Sequence, residues 1–542
     1  MGGWGRNHRR KPGARAWRRI ATICAAFFVV ACATQDSDSA SSAGLGEANK
    51  LFSVGYRDIA DIYIQDVPSI DLAVAGLSGL SSIDPAVNVS RDGGWILLAV
   101  GDDKAASLSI PARGDAEAWG DLTAAALDLG RRSSAELGTA EPERLYEVVF
   151  DGMLGQLDKF SRYSGREEAR ENRASRDGFG GIGVRIRLIE TGVLILSVMQ
   201  NTPAERGGLQ DDDIIVTIDG EDTVGLSQRE VVRRLRGPLH SKVLLGIARE
   251  GAGPTLALEV SRAHIVPQTV RYARLGRVGH LKVSGFNQNT ALNLRQAIRR
   301  ATEDIGDELA GYVLDLRGNP GGLLDQSIAV TDIFVTDGRI VSTHGRHPDS
   351  HQYFDAEPDD LTGNRPVVVL VNGNSASASE IVAAALQDAG RAVVVGTSSF
   401  GKGTVQTVLR LPNEGELTLT WARFHAPSGY ALNGRGIMPD ICTSDFATGD
   451  PIEVEQVLDQ LRNGELPVAW SVIHRDLAMG DTSGIEAFRA ACPPANGEAG
   501  VELEVALRLL EDPELFARAI DRALPTATQA VAGPRELAVQ AH

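Results

Sequence analysis

Val367-Val368-Val369-Leu370-Val371-Asn372-Gly373-Asn374-Ser375-Ala376-Ser377-Ala378-Ser379-Glu380 begins as five apolar residues, turns through Asn-Gly-Asn, and enters a run of small residues. The apolar run fits a buried strand, and the residues after it can open a helix over about 376–389. One of the three serines therefore sits at a strand-to-helix junction. Unpaired backbone N–H groups and a partial positive charge are available there for an oxyanion. Read alone, the same run also serves as helix capping among small residues.

On either side the chain repeats this alternation. Strands are predicted at 278–283, 312–316 and 393–395, with helices at 290–304 and 323–335. A layered sheet with covering helices follows from that order. Just past the last of these strands comes Phe400-Gly401-Lys402-Gly403-Thr404-Val405-Gln406. Lysine is scarce in this chain, seven among 54 basic residues, so arginine carries nearly every positive charge. Arginine does not deprotonate in a protein, whereas a buried lysine can lower its pKa enough to act as a general base. Lys402 is thus a candidate base, with a surface-turn lysine as the plain alternative. Gly396 to Lys402 also spells GxxxxGK, most of a phosphate-binding loop, but Gly403 stands where the Mg²⁺-binding Ser or Thr belongs and an extended stretch follows instead of a helix.

Residues 178–263 read differently. Phe179-Gly180-Gly181-Ile182-Gly183-Val184 leads into strands at 193–198, 214–218 and 242–248, and Ser227 with Glu230 forms a capping box for a helix carrying Val231, Val232 and Leu235. This small β-rich unit with one groove-forming helix resembles a PDZ domain. Gly181, Ile182, Gly183 and Val184 would form the nest that holds a peptide's C-terminal carboxylate while the peptide adds to the sheet edge.

The 542 residues are 43% hydrophobic and 23% charged, which excludes a wholly disordered chain and suggests three or four units. The formal charge of −17 argues against a nucleic-acid surface. Seven basic residues and no acid lie in 1–31, ahead of the apolar run Ile20–Ala31, so the start reads as an export signal. That run falls short of the roughly 20 residues a spanning helix needs. Without 1–31 the charge is −24. Val29-Val30-Ala31-Cys32 resembles a lipobox with Cys32 lipidated, although cleavage at Ala31-Cys32-Ala33 also fits an ordinary signal. Residues 32–50 read as a flexible tether, 51–170 as a helical region with a β-rich insert near 86–111, and the part after 448 as a helical extension and tail. Cys442 and Cys492 are a possible pair in an oxidising compartment, though two isolated cysteines are more often buried or free. His344, His347 and His351 have ligand-like spacing, but read better as a His-rich loop than as a metal site.

Taken together, the blocks from about Glu143 to Thr443 resemble the C-terminal processing peptidases, the tail-specific proteases of the S41 serine class. They are Leu157-Asp158-Lys159-Phe160-Ser161-Arg162-Tyr163, Leu314-Asp315-Leu316-Arg317-Gly318-Asn319-Pro320-Gly321-Gly322, the serine and lysine blocks, and Gly436-Ile437-Met438-Pro439-Asp440. The resemblance implies a multidomain α+β chain: a helical N-terminal region, a PDZ domain over about 171–263, a crotonase-like (ClpP-like) α/β protease core over 264–448, and a helical C-terminal extension over 449–542. It makes Ser377 the nucleophile, Lys402 its general base and Gln406 the residue orienting the lysine, with Ser375 and Ser379 as competing serines. Ala378 with Gly321 or Gly322 would form the oxyanion hole. No cofactor, metal or nucleotide is required. The expected partners are flexible protein C-termini, an adaptor or activator, the membrane through an N-terminal lipid, and a second copy of the chain. The expected location is the periplasm or cell envelope. A PDZ-based scaffold with an inactive or adaptor-dependent core is the alternative.

Overall fold

The computed structural model describes residues 35–251, 253–446, 448–464, 485–498 and 500–523. The expected export segment, its Cys32 and the C-terminal tail fall outside them. The described chain divides into two compact units, one built mainly from 67–157 and the residues before 61, the other from 158 onward.

In the first unit, helices Ser69–Ser78, Ala116–Ser133 and Pro142–Leu154 accompany an antiparallel sheet of Val87–Asp92, Trp95–Val100 and Asp103–Ser109. Helix Gln35–Ile62 runs through most of the segment expected as a tether. Its anchor explains the difference: Ala48, Leu51 and Phe52 are buried, Phe52 packs 5.4 Å from Phe150, and nothing in the preceding Ser/Ala stretch stops a helix from extending backward. Glycine lets two helices of this unit meet backbone to backbone. A Cβ on Gly152 would lie 2.3 Å from Ala75 O.

Within the second unit, residues 184–261 form a sheet in the order 256–261, 242–248, 214–218, 192–198, 184–189, covered by helix Gln228–Leu235. Val231 and Leu235 of that helix pack on Val193, Ile195, Ile215 and Leu245. Among the described residues the Val184–Ile189 strand pairs on one side only, so its outer edge is open.

The remainder is an α/β core. Six strands run in the order 270–275, 278–283, 311–315, 367–371, 393–396, 441–442, and every pairing after the first is parallel. All five residues of Val367–Val371 are 0% exposed because the sheet is covered twice. Val367, Val369 and Val371 face helices Thr290–Ile305 and Ala378–Asp388 through Leu294, Ile298, Val382 and Leu386. Val368 and Leu370 face helices Pro451–Asn463, Gly500–Glu511 and Pro513–Ala523. Each such side chain buried contributes roughly 1.5–3 kcal/mol. The helices after 448, set apart above as an extension, are therefore the second covering layer of the core, which the apolar residues on both faces of its strands require. A second sheet holds Gln352–Asp355, Arg339–Gly345, Glu416–His425 and Thr404–Arg410, with Arg162–Ser164 added beside Glu416–His425. Cys442 and Cys492 are joined by a disulfide. His344 lies on a strand of this second sheet beside His351 and His425, not in a loop. Among the described residues no group of three His, Cys, Asp or Glu could hold a metal ion.

Candidate active site

Three adjacent parallel strands end in the three loops that the sequence marks out: 311–315 leads to Asn319–Gly322, 367–371 to Ser377, and 393–396 to Lys402. The carboxyl ends of neighbouring parallel strands are where α/β sheets gather their functional loops.

The serine run resolves into one accessible and two structural hydroxyls. Ser375 and Ser379 are 0% exposed. Ser375 Oγ donates to Leu316 O at 2.9 Å and Ser379 Oγ to Asn319 O at 2.9 Å. Ser377 keeps partial solvent access and caps helix Ala378–Asp388. Its backbone is at φ 57°, ψ −115°, a conformation a non-glycine residue adopts only when its surroundings impose it.

Glu380 imposes it. The carboxylate is fully buried, and its oxygens accept from four groups: Ser377 N–H at 2.7 Å, Gly401 N–H at 2.7 Å, Lys402 N–H at 2.9 Å and the Ser399 hydroxyl. Burial pushes this carboxyl above its ordinary range, opposed by those hydrogen bonds, the Ser399 hydroxyl foremost. All four groups donate, so the ionised form is the one that satisfies them, and one buried charge fastens the serine and lysine loops together. Sequence analysis assigned Glu380 no role. The missed signal was Ser377-x-x-Glu380, the same capping-box pattern noted at Ser227 and Glu230.

Glycines close the other side. Gly321 sits at φ +98°, and a Cβ there would lie 2.8 Å from Ser377 Cβ and 3.0 Å from Ala378 N. Its N–H is committed to Asn319 Oδ1 at 2.9 Å. Among the described residues the N–H of Gly322 meets no acceptor, and Ala378 N–H is the first of its helix, so these two are the donors open to an oxyanion.

The lysine side is looser. Lys402 Nζ lies 5.2 Å from the centre of the Phe160 ring, and among the described residues no hydrogen bond joins it to Ser377 or Gln406. Burial pushes the ammonium below the ordinary lysine range, assisted by Arg162 and opposed by Glu380 and Asp158. Gln406 Nε2 donates instead to Thr404 Oγ1 at 2.8 Å and to Thr420 Oγ1 at 3.3 Å. The expected lysine-orienting contact is thus absent from this conformation, because flanking threonines on the two paired strands take up the amide. Around Gly181–Val184, Ile182 is buried in the small domain's core and Gly183 has φ +90°. The N–H groups of Ile182 and Gly183 meet no acceptor among the described residues, next to the open edge of Val184–Ile189. Converging backbone N–H groups can hold an anion, and a strand edge of this kind can take an added strand.

Two family models and several known proteins match the chain. The family described as Peptidase family S41 matches residues 277–443, and the PDZ domain family matches 194–249. A carboxy-terminal-processing protease of Bartonella bacilliformis is 39% identical over 373 residues, covering 68% of this chain and 83% of that one. The carboxy-terminal processing protease CtpB of Bacillus subtilis is 32% identical over 376 residues, covering 67% and 77%. Among solved structures, a photosystem II D1 C-terminal processing protease is similar at 29% identity and a TM-score of 0.33, over 54% of this chain and 81% of that one.

Proposed function

The chain belongs to peptidase family S41, the carboxy-terminal processing proteases, and from that premise we propose how its own residues carry out the reaction. It is a serine-type peptidase with a PDZ domain, acting near protein C-termini. In our reading Ser377 is the nucleophile and Lys402 the general base. The observation that carries it is the buried Glu380 carboxylate, which holds the N–H groups of both residues and so keeps an accessible serine and a half-buried lysine on facing loops.

Neutral Lys402 Nζ takes the proton of Ser377 Oγ as that oxygen attacks the scissile carbonyl carbon. The carbonyl oxygen becomes an oxyanion, facing the N–H groups of Ala378 and Gly322. Collapse breaks the C–N bond, the lysine ammonium returns its proton to the leaving amine, and an acyl-serine ester remains. Water then attacks the ester while Lys402 accepts its proton. When the C–O bond breaks, that proton goes back to Ser377 Oγ. The burial that lowers the lysine's pKa favours the neutral base this sequence needs. Gln406 would orient the lysine once its amide leaves the two threonines.

The substrate's C-terminus would add as a strand to Val184–Ile189, its carboxylate held by the nest over 181–184, and peptide binding would bring Lys402 to Ser377. Export through residues 1–31, lipidation of Cys32 and a cell-envelope location complete the reading; among the described residues no helix is long and apolar enough to cross a membrane. Cleavage of unfolded casein by the purified full chain tests the dyad. Ser377→Ala and Lys402→Ala should each abolish cleavage with the circular dichroism spectrum unchanged. Full activity in folded Lys402→Ala would overturn the assignment of the base.

A further inference from the structure

The match to the peptidase family ends at residue 443, yet the two catalytic loops are held from beyond it. The stretch 485–498 enters with helix Ile485–Ala491 and crosses both loops. On the lysine side, Arg489 Nη1 donates to Ser399 O at 3.0 Å and to Arg435 O at 2.9 Å, and Ala495 N–H donates to Thr397 Oγ1 at 3.1 Å. On the serine side, Gly373 N–H donates to Ala495 O at 2.7 Å, Asn374 Nδ2 to Asn496 O at 3.1 Å and Asn372 Nδ2 to Gly497 O at 3.0 Å. Ala495 thus bonds one loop through its N–H and the other through its C=O. The contact is close, since a Cβ on Gly373 would lie 3.0 Å from the backbone oxygen of Ala495 and 3.2 Å from Pro494 Cβ.

The stretch is tied down on both sides. Cys492, 0% exposed and packed with Met438 and Phe488, is bonded to Cys442 on the last strand of the sheet. Ten residues on, Glu502 reaches buried Arg317 at 3.1 Å, which also pairs with Asp315 at the end of the strand before the glycine turn. A disulfide before the crossing and, on helix Gly500–Glu511, a buried ion pair after it keep the stretch in register with both loops.

We propose that the stretch 485–498 is a disulfide-locked positioning strap for the reaction: it sets the spacing of the Ser377 and Lys402 loops without touching the reacting atoms. The inference rests on the Ser377–Lys402 reading of the site. Ser399 transmits it, because its carbonyl takes Arg489 while its hydroxyl donates to Glu380. Losing the strap displaces the carboxylate that both catalytic residues share. The penalty falls on the chemical step, because a loop displacement of about 1 Å is enough to cost orders of magnitude there.

The test uses the full chain and a chromogenic peptide, with kcat and KM normalised to the fraction of molecules whose serine is labelled by a fluorophosphonate. Arg489→Ala should lower kcat roughly 10- to 100-fold with KM within about twofold, and Arg489→Lys should recover part of it. The Cys442→Ser/Cys492→Ser double variant should lose kcat similarly. Wild type treated with tris(2-carboxyethyl)phosphine should follow, the disulfide gaining two electrons and two protons to become two thiols while the phosphine, with water, becomes its oxide; reoxidation should restore kcat. The double variant should not respond to the phosphine. Unchanged kcat per labelled site in Arg489→Ala and in reduced wild type, whatever happens to the melting temperature, would overturn the strap. Activity in Ser377→Ala would instead overturn the dyad on which it rests.

Discussion

The two sides of the site are built to different tolerances. The serine side is fixed: Ser377 caps a helix in a strained backbone conformation, Glu380 and Gly321 close in on it, and Gln387 near the far end of that helix donates to Met438 O and Asp440. On the lysine side only the backbone is fixed. The Lys402 side chain rests on Phe160, and the amide of Gln406 is occupied elsewhere. The difference teaches where activity is controlled. On the proposed Ser377–Lys402 reading, a preorganised nucleophile costs nothing to align at the moment of reaction, and the barrier left for substrate binding to remove is the travel of the lysine ammonium.

Glu380 belongs to both sides, so changing it should break the comparison most severely. Glutamine has one acceptor oxygen and one NH₂. Either placement sets the NH₂ against a backbone N–H, that of Gly401 on one side or those of Ser377 and Lys402 on the other. Glu380→Gln should lower kcat roughly 10- to 100-fold, with KM for a C-terminal peptide little changed. It should also remove a negative charge that raises the lysine's pKa, moving the acid limb of the kcat/KM profile to lower pH. A lower kcat with the limb unmoved would leave Glu380 a scaffold without an electrostatic part.

Phe160→Leu sharpens the comparison from the loose side. A cation over an aromatic face is stabilised by about 0.5–2 kcal/mol, so removing the ring should release the lysine from its resting place. The expected result is a kcat roughly 2- to 10-fold higher at subsaturating activating peptide, with the gap narrowing at saturation. A lower kcat at every peptide concentration would mean that the ring supports the working position rather than the resting one.

Legibility in the sequence follows the same division. Val367–Val371 and the small-residue run after it could be read because strand burial and helix capping are local properties. Lys402 stood out by its scarcity. By residue pattern, apart from the family resemblance, Ser375 and Ser379 could not be separated from Ser377, because their acceptors, Leu316 O and Asn319 O, lie 59 and 60 residues away along the chain. Of the strap only the possible Cys442–Cys492 pair showed in the sequence, for a related reason: its bonds to residues 372–374 are made by backbone carbonyls, which every sequence possesses. The helix beginning at Gln35 was hidden by composition, since its Ser/Ala stretch matches a tether until the buried anchor at Ala48–Phe52 is seen. Contacts between distant backbones, and elements stabilised by a neighbour, are the classes of structure that residue patterns do not encode.

The smallest expected effect concerns what holds the serine side at its far end. Asp388 closes the nucleophile's helix and accepts both the N–H of Ser428 at 2.9 Å and its hydroxyl at 2.7 Å. Burial pushes its carboxyl up to about 6, against the two Ser428 bonds. A folded-state pKa above the unfolded value near 4 means that the folded chain holds this proton more tightly. The stability it contributes is complete below about pH 4, declines as pH rises through about 6, and is gone above that. Asp388→Asn keeps an acceptor for Ser428 and cannot ionise. The variant should match wild type in urea denaturation at pH 4 and exceed it by roughly 1–2 kcal/mol at pH 8, with partial solvent access of the side chain discounted. Asp440, also pushed up, to about 7, by its burial and in lesser part by the Asp388 charge, should keep most of its own decline in the variant, so the two curves part between pH 4 and 7 and run parallel beyond. Equal stabilities at pH 8 would show that the end of the serine helix is not held by a reluctant charge, and the rigidity of that side would then rest on Glu380 and the strap.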